Sequence, residues 1–427
     1  MRALGILALF ALAGCPGRPN RPIPPAGSFT FEVGGGSLRG VAGDGHLTFA
    51  AIVPTAGNDR SEIQARRDAT LAWQVELAGT AGPLAHAGSL VLATLGGTRT
   101  VADVPVRGGP GAVVVALDAT TGTPRWKLAL DSSEWSLITC IAAVGGDVLV
   151  GGSFSGTLRA ARRVVSSAGK SDGFVARITS TGEVAWLVRA GGAGADAVQG
   201  VAAAADRIAI AGTFSVGAEL LGEPLGAVDE RSPYADVFVA ELDARGGRTW
   251  SSTFGGKLDD GVAGVAIDGK GRIAVAATVR DTVHVGGRDV VAQGPADGVV
   301  AFWSADGSVG PAVLLGGTEF DGLRAIAASG DHVIVGGFFA GTVMLGPAQQ
   351  KADGGDDAFL VALDGATIAQ TWPVTGTGRE EISALSSVPG GFIAAVAHTA
   401  AARVDGMPLP APQDPMTGAA LIVRADR

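Results

Sequence analysis

The sequence predicts an all-β fold: a seven-bladed β-propeller with four-stranded blades, in which the N-terminal strand closes the ring by pairing with the C-terminal blade. Three observations lead to it: a repeated phrase of apolar strand, Gly turn, Trp and Gly-Gly; one position that recurs seven times; and an unpaired strand near the N-terminus. Repetition at such a period is typical of an array of one supersecondary unit.

The repeated phrase is clearest in segments 172–186 and 236–250, each of which runs from Asp to Trp and is followed by Gly-Gly. The tryptophans that end the phrase lie 53, 60 and 64 residues apart, at Trp73, Trp126, Trp186 and Trp250. We expect Trp372 to continue this series, with Pro311 at the position of a missing Trp. Three short strands precede each Trp strand, as in Val262–Ile267, Arg272–Val279 and Asp297–Trp303.

The recurring position opens the third strand of each unit. It is occupied by Asp59, Asp172, Asp236, Asp297 and Asp357, with Gly111 and Gly418 in the other two units. Seven occurrences predict seven units. Asp at a strand entry accepts hydrogen bonds from nearby backbone N–H groups, so we interpret these carboxylates as turn chemistry, with calcium binding as the alternative.

Ring closure follows from the strand count. The last unit ends in residues 419–427 without a Trp strand, whereas the chain after its leader begins with a strand at Phe29 that lies five residues before Gly34, as Trp250 lies five before Gly255. Residues 29–33 are therefore predicted to pair beside residues 419–425, which removes an exposed sheet edge.

The N-terminus predicts the compartment. Residues 1–14 combine Arg2 with an apolar run too short to span a bilayer, and they end in Leu-Ala-Gly before Cys15. This resembles a bacterial lipobox, so we expect residues 1–14 to be a signal peptide, Cys15 to be acylated and 15–27 to be a Pro-rich tether. Residues 28–427 are expected to form one propeller domain. We expect this domain to lie in the bacterial cell envelope, anchored by lipid to the outer membrane.

Composition excludes several partners. Removal of Arg2 with residues 1–14 changes the formal charge from −9 to −10, and no basic run is present, which disfavours nucleic acid and electrostatic adhesion to anionic lipid. Cys140 is then the remaining cysteine, in an apolar strand, and we interpret it as a buried hydrophobe. The membrane is thus expected as a partner through acylated Cys15, and the domain is expected to be monomeric.

No catalytic set emerges from the residues, so no catalytic, cofactor-binding or metal-binding residue and no cofactor is predicted. The spacing of the five histidines matches no metal-ligand motif. They are His46, His86, His284, His332 and His398. The adjacent carboxylates occur at 259–260, 356–357 and 380–381, where neighbours on a strand point to opposite faces. We interpret Trp126, Trp186, Trp250 and Trp372 as blade-to-blade core and not as a ligand platform.

Two resemblances follow from these motifs. The phrase Asp-x-Phe-Val-Ala-x-Leu-Asp-x-x-Gly-x-x-x-Trp resembles the bacterial seven-bladed β-propeller repeat family (SBBP-type) over residues 29–427, which implies a fold and no uniform activity. Residues 116–126 are similar to one repeat of quinoprotein-type propellers, whose alcohol dehydrogenases usually carry a vicinal Cys pair that this chain lacks. Non-catalytic members of that group include an outer-membrane assembly lipoprotein.

Three functions remain open from the sequence. The first is a non-catalytic binding or scaffold module for a protein or glycan partner; the second is a carbohydrate-active lyase or hydrolase with carboxylates at the central channel; the third is an outer-membrane assembly scaffold. Three or more ionisable side chains converging at one channel mouth would favour the enzyme.

Overall fold

The computed structural model describes residues 29–54, 59–67, 70–97, 100–107, 109–226, 234–411 and 418–425. For 29–35 and 418–425 it describes the backbone pairing alone. Cys15 and the segments 1–14 and 15–27 lie outside the described residues. Within the described part of the chain, no helix is long and apolar enough to cross a membrane.

The described residues form forty strands. In chain order they are β1 (Phe29–Gly35), β2 (Ser37–Gly43), β3 (Thr48–Val53), β4 (Arg60–Arg67), β5 (Thr70–Ala78), β6 (Thr80–Ala87), β7 (Leu90–Gly97), β8 (Thr100–Val101), β9 (Val104–Pro105), β10 (Gly111–Asp118), β11 (Pro124–Ser132), β12 (Trp135–Val144), β13 (Asp147–Ser155), β14 (Thr157–Ala160), β15 (Arg163–Ser166), β16 (Asp172–Ile178), β17 (Val184–Gly191), β18 (Ala197–Ala204), β19 (Arg207–Phe214) and β20 (Glu219–Leu220). They continue with β21 (Glu223–Pro224), β22 (Asp236–Leu242), β23 (Arg248–Phe254), β24 (Gly261–Ile267), β25 (Ile273–Val279), β26 (Thr282–Val285), β27 (Arg288–Val291), β28 (Asp297–Trp303), β29 (Val309–Gly317), β30 (Gly322–Ser329), β31 (His332–Phe339), β32 (Thr342–Leu345), β33 (Ala348–Lys351), β34 (Asp357–Asp364), β35 (Thr367–Gly376), β36 (Glu380–Val388), β37 (Gly391–His398), β38 (Ala402–Val404), β39 (Met407–Pro408) and β40 (Gly418–Ala425).

Six blades are antiparallel meanders of four strands taken in chain order, and each inner strand borders the central channel. They are blade 1 (β2–β5), blade 2 (β6, β7, β10, β11), blade 3 (β12, β13, β16, β17), blade 4 (β18, β19, β22, β23), blade 5 (β24, β25, β28, β29) and blade 6 (β30, β31, β34, β35). Apolar side chains on both faces of these strands pack against the next blade, so the core is a series of inter-blade layers.

A further sheet joins the two ends of the chain and lies between blade 6 and blade 1. In this closing sheet the order is β36-β37-β40-β1, and β1 pairs antiparallel with β40 from Phe29 opposite Arg424 to Gly35 opposite Gly418. The predicted pairing of residues 29–33 with the C-terminal strand is therefore confirmed. The physical reason is that a three-stranded end would leave a row of backbone donors and acceptors unpaired.

The prediction of a seven-bladed propeller with four-stranded blades is wrong, because the structure has six blades. Six blades are built from consecutive meanders, and the remaining sheet is a composite of both chain ends. Four of the six blades, 2, 3, 5 and 6, extend to six strands because a short hairpin of the following blade pairs with their outer strand. Blades 1 and 4 keep four strands, and the hairpins beside them, β8–β9 and β26–β27, form separate two-stranded sheets.

The repeated Gly-Gly pair permits this pairing of hairpins with the preceding blade. A Cβ on Gly317, at the end of β29, would collide with the carbonyl oxygen of Thr342 in the hairpin β32–β33. The backbones of β29 and β32 are paired at this point, with Gly317 opposite Val343. Gly317 at the end of this outer strand is thus required by backbone approach and not only by turn formation.

The tryptophans of the repeat are contacts between blades. The rings of Trp73, Trp126, Trp186 and Trp250 each face a left-handed Gly in the third turn of the next blade, at Gly122, Gly182, Gly246 and Gly307. Trp186 shows the geometry: its Nε1 donates to the Ala244 carbonyl at 3.1 Å, and a Cβ on Gly246 would lie 2.9 Å from its ring atom Cδ2. The structural interpretation of these tryptophans agrees with this packing.

Trp372 does not continue the series. It pairs with Leu360, whereas the residue equivalent to Trp250 in blade 6 is Gln370, which pairs with Ala362. Trp372 is fully buried and its ring centroid lies 5.6 Å from that of Phe392 in the closing sheet. Its role is still packing between sheets, but from a position two residues further along the strand.

Ionic contacts occupy the junction of blades 5 and 6, where the series has Pro311 in place of Trp. Asp364 of blade 6 accepts hydrogen bonds at 2.7 Å from both Lys270 Nζ and Arg272 Nη2 of blade 5. The Arg272 guanidinium also lies 5.8 Å from the centroid of the Phe302 ring. Charge pairing between the two blades therefore takes the place of the Trp–Gly contact at this junction, and the cation–π contact lies within blade 5.

Substitution Gly246→Ala should destabilise the protein by about 2 kcal/mol or more, because it adds left-handed backbone strain and a collision with the Trp186 ring. Gly222→Ala is the matched control: its φ of +81° is similar, but nothing lies within 4 Å of the added Cβ. Strain alone should cost this control about 1–2 kcal/mol. Thermal unfolding measures both variants, and equal losses would contradict a packing role for the Trp–Gly contact.

Deletion of residues 29–35 should lower the melting temperature of the whole domain, because it removes the strand that covers β40. Deletion of residues 16–27, which the sequence predicts to be a tether, serves as the control and should leave the melting temperature unchanged. Circular dichroism melts compare the two truncations with the parent. A parent-like melt after loss of residues 29–35 would show that the closing strand is dispensable.

Candidate functional site: the entry face

The central channel is bordered by the inner strands of the six blades and the closing sheet. At one end its lining is small and apolar, with contributions such as Ala85, Ala143, Ala203, Ala266 and Ala328. No carboxylate lines either half of the channel among the residues that the structure describes. Alanine on these strands follows from the crowding of seven inner strands around one axis.

The other end of the channel carries a ring of bulged residues. Each inner strand has a register shift at a position from its third to its fifth residue, and in β6 the shift skips both Gly82 and Pro83. The skipped residues that line the channel here are Arg39, Pro83, Thr139, Gln199, Ala263, Arg324 and Ser383. A β-bulge re-aims a side chain that the regular pleat would send elsewhere. We call these residues the mouth ring, and the side of the propeller that carries them the entry face.

The mouth ring is polar and positively charged in a chain of net negative charge. Arg39 and Arg324 flank Ser383 in the order of the sheets around the axis, and Gln199 contributes an Oε1 that is buried and accepts no hydrogen bond from the described residues. The Thr139 hydroxyl is already used within the protein, since its Oγ1 donates a hydrogen bond to the Val198 carbonyl oxygen at 2.7 Å. The Arg39 guanidinium, a hydroxyl and an amide are thus available to a ligand at the mouth, while the Arg324 guanidinium pairs with Glu381.

Buried carboxylates occur in pairs between adjacent sheets on the entry face. Each pair joins the first residue of a third strand to an acid at the start of the next inner strand. The pairs are Asp172 with Asp196, Asp236 with Asp260, Asp297 with Asp321, and Asp357 with Glu380. All eight side chains are almost fully buried. Two carboxylates in such proximity cannot both ionise without cost.

The carboxylates of each pair also hold the backbone in place. Asp321 accepts N–H groups from Gly317 at 2.6 Å and from Ala340 at 3.0 Å, while Asp297 Oδ2 accepts the N–H of Gln293. Asp297 Oδ1 accepts no hydrogen bond from the described residues unless the neighbouring Asp321 supplies a proton. These bonds agree with the interpretation of the strand-opening Asp residues as strand-entry chemistry. They leave a proton on Asp321 as the partner of Asp297 Oδ1.

Burial is the main cause that raises the pKa of at least one member in each pair, with the paired carboxylate as a further cause, and in the Asp357–Glu380 pair the pKa of both members is raised. The pKa rises to about 7 for Asp260 and for Asp321, and to about 8 for Glu380. For Asp196 burial raises the pKa as well, against hydrogen bonds from Ser215 and Gly192. Arg189, which donates to Asp172 Oδ2 at 2.6 Å, supplies a positive charge at this junction.

A pocket of about 600 Å³ opens on the entry face between blade 6 and the closing sheet, beside the mouth ring. Its lining includes Phe320, Phe338, Arg324, Arg379, Glu380, Glu381 and His398. We call it the junction pocket. His398 is buried here, at the position that Phe339 occupies in blade 6, and its Nδ1 lies 2.9 Å from the Ala400 carbonyl oxygen.

The structure separates most of the residues examined in the sequence. His46 is an exposed turn residue, His284 is exposed and pairs with Asp289, and His86 stacks on Phe49 at a centroid distance of 5.6 Å. Cys140 is buried, and burial raises the pKa of its thiol to about 12, in agreement with the interpretation as a hydrophobe. His332 is half-buried at the start of β31.

Asp59 is not equivalent to the other strand-opening acids. It is exposed and precedes β4, whereas the pairing of β3 with β4 ends at Ile52 opposite Glu62, so Ser61 is next in register, opposite the strand end at Val53. Ser61 is buried, and its hydroxyl donates to the Gly79 carbonyl at 2.8 Å and accepts the Ala81 N–H at 2.8 Å. A hydroxyl therefore replaces the carboxylate where the next inner strand carries no acid.

Sequence reasoning missed the partners of the strand-opening acids, although a signal for them exists. An acid lies four residues after the second Gly of the pair or its equivalent, at Asp196, Asp260, Asp321 and Glu380. The adjacent carboxylates at 356–357 and 380–381 do not pair within each doublet, as expected; Asp357 and Glu380 pair across the two sheets. Only the ring arrangement brings these positions together.

Comparison with known proteins finds similarity of fold alone. No family model and no curated protein matches the chain. BamB from Moraxella catarrhalis matches with 14% identity and a TM-score of 0.40, over 91% of this chain and 84% of that one. A europium-containing methanol dehydrogenase matches with 12% identity and a TM-score of 0.41, over 91% of each chain. The Neurospora crassa Pan2 WD40 domain matches with 9% identity and a TM-score of 0.42, over 82% and 90%.

The carboxylate pairs predict that stability falls as the pH rises. Because the folded-state pKa values lie near 7–8, above the ordinary values of 3.8 and 4.5, the stabilisation is fully present below about pH 4 and is lost progressively as the pH rises to the folded-state values. The melting temperature should therefore decrease between about pH 4 and about pH 8.

Asp297→Asn is the variant that isolates one pair. Its amide can donate to Asp321 in place of the shared proton, so the melting temperature should depend less on pH than in the parent. Asp103→Asn, at an exposed hairpin carboxylate, is the control. An unchanged pH dependence in the Asp297 variant would exclude proton sharing at that junction.

Proposed function

We propose that this protein is a lipid-anchored propeller of the cell envelope that binds a protein or glycan partner without catalysing a reaction. The observation that carries the proposal is the mouth ring: bulges in all the inner strands direct side chains to one end of the channel, and five of those residues are polar. A regular sheet would need no bulge at the same place in every inner strand.

The distribution of carboxylates favours binding over glycan cleavage. The buried acids lie at the junctions between sheets, where backbone N–H groups hold them, and the ionisable residues of the mouth ring are two arginines. A hydrolase or lyase of the predicted type needs carboxylates that converge on a bound substrate. The mouth ring itself has two ionisable groups, both arginines, and the carboxylates Asp356 and Glu381 of the adjacent pocket are paired with Arg379 and Arg324.

Photo-crosslinking from two sites of blade 1 tests the proposal. Benzoylphenylalanine at position 39 places the probe in the mouth ring, and at position 46 it places the probe in an exposed turn at the other end of the same inner strand. In native cells we expect a defined adduct from position 39 and none from position 46. Equal labelling from both positions would contradict recognition through the entry face.

The crosslinking experiment also separates the alternatives. Recovery of outer-membrane assembly proteins from position 39 would assign the scaffold role, and recovery of a glycan would assign the glycan role. Release of cleaved glycan by the purified protein, abolished by removal of an entry-face carboxylate such as Glu381→Gln, would instead establish the enzyme.

Anchoring through Cys15 is a separate part of the proposal. Mass spectrometry of the native protein should find acylated Cys15 as the first residue, because the apolar leader ends in Leu-Ala-Gly before it. Cys15→Ser should move the protein out of the membrane fraction, whereas Cys140→Ser, at the buried cysteine, should not. Membrane retention of the Cys15 variant would overturn the anchor.

A further inference from the structure

One wall of the junction pocket is aromatic, formed by Phe320 and Phe338, and backbone contacts hold Phe320 in place. Phe320 is 44% exposed, and its ring centroid lies 5.9 Å from that of Phe338 in a stacked arrangement. The backbone of Phe320 bridges to Ala296, and the following N–H, of Asp321, donates to the Ala296 carbonyl at 2.9 Å. An exposed aromatic ring on an anchored backbone offers a flat apolar surface at little entropic cost.

Charged groups surround this wall in pairs. Arg324 Nε lies 2.7 Å from Glu381 Oε1, and its guanidinium carbon lies 4.7 Å from the centroid of the Phe338 ring. On the other side Arg379 Nη2 donates to Asp356 Oδ2 at 2.6 Å. Each cation is compensated by a carboxylate, so the pocket is an array of donors and acceptors with little net charge.

A buried carboxyl completes the lining. Neither Glu380 Oε1 nor Glu380 Oε2 accepts a hydrogen bond from a donor in the described residues, and Asp357 is its close neighbour. Burial and the neighbouring Asp357 raise the pKa of Glu380 to about 8, so the pair offers both a donor and an acceptor to a hydroxyl group that enters the pocket. His398, which bonds the Ala400 carbonyl through Nδ1, presents its other ring nitrogen as a further polar atom.

We propose that the junction pocket binds a neutral sugar ring, whose apolar face stacks on Phe320 and whose hydroxyls bond the Arg324–Glu381 and Arg379–Asp356 pairs. This inference rests on the glycan form of the proposed function and assigns its site. A pyranose has one face of C–H groups and a rim of hydroxyls that donate and accept, which is the complement of an aromatic wall edged by cation–carboxylate pairs. The volume of about 600 Å³ accommodates a small oligosaccharide.

An acidic ligand fits this pocket less well. Glu381 and Asp356 already compensate the two guanidiniums, and the Asp357–Glu380 pair lies beside them. A uronate or an acidic peptide would have to displace those carboxylates from the arginines and approach them at close range, which costs free energy. Neutral hydroxyls need no such displacement.

The test uses the full chain purified in detergent and a panel of neutral trisaccharides: maltotriose, cellotriose, mannotriose, xylotriose and chitotriose. Tri-galacturonate and a hexaglutamate peptide are the acidic probes. Saturation-transfer NMR and isothermal titration should detect at least one neutral trisaccharide with a dissociation constant of about 1 mM or lower. Phe320→Ala should weaken that binding at least about tenfold, and Phe320→Tyr should retain it.

Leu258→Ala is the matched control, because Leu258 is an exposed apolar residue on the equivalent segment at the junction of blades 4 and 5. It should bind as the parent does, and all variants should keep the parent melting temperature. The proposal is overturned if no neutral trisaccharide binds at about 10 mM, if Phe320→Ala binds as the parent does, or if an acidic probe binds more tightly than every neutral one. Crosslinking from position 39 is independent of these results, so loss of the sugar site would leave the proposed function to its own test.

Discussion

Close approach of neighbouring sheets around one axis is the constraint on which the rest of this structure depends. The inner strands crowd together, so their side chains are mainly Ala, Val and Gly, and the contacts further out must be made by larger groups. A Trp ring on a left-handed Gly makes that contact at four junctions, and Arg272 with Asp364 makes it at a fifth. At the end of β29 the hairpin backbone approaches so closely that Gly317 has no room for a Cβ, whereas β11 pairs with its hairpin through Leu130, Asp131 and Ser132.

The same crowding creates the polar chemistry of the entry face. Acids at the strand starts of adjacent sheets are brought together and buried, which raises the pKa of Asp260, Asp321 and Glu380, and several of them hold backbone N–H groups at the rim. Bulges at the third to fifth residues of the inner strands release other side chains toward the channel mouth. The junction pocket forms where the pattern changes, because Glu380 and His398 replace the Asp and Phe found at other junctions and Phe320 is left exposed beside them.

Much of the fold was accessible from sequence and less of the site. The strand order, the pairing of Phe29–Gly35 with the C-terminal strand and the packing role of Trp186 follow from local pattern and spacing, since alternation and repeat period are properties of the chain itself. The extension of four blades to six strands was not accessible, because hairpin pairing depends on where a neighbouring sheet ends. The sequence analysis placed Asp59 in the series of strand-opening acids and Trp372 in the series of Trp residues. Both assignments were wrong, because spacing along the chain does not reveal an insertion of one or two residues.

By itself, then, the sequence determined an all-β repeat with a closing N-terminal strand, an acidic domain and a predicted lipid anchor at Cys15, because period, composition and leader are read along one chain. Only the tertiary structure decided the number of strands in each sheet, the pairing of Asp297 with Asp321 and the union of Phe320, Arg324 and Arg379 in one pocket. Those residues belong to different strands and loops, and closure of the ring alone brings them within contact distance.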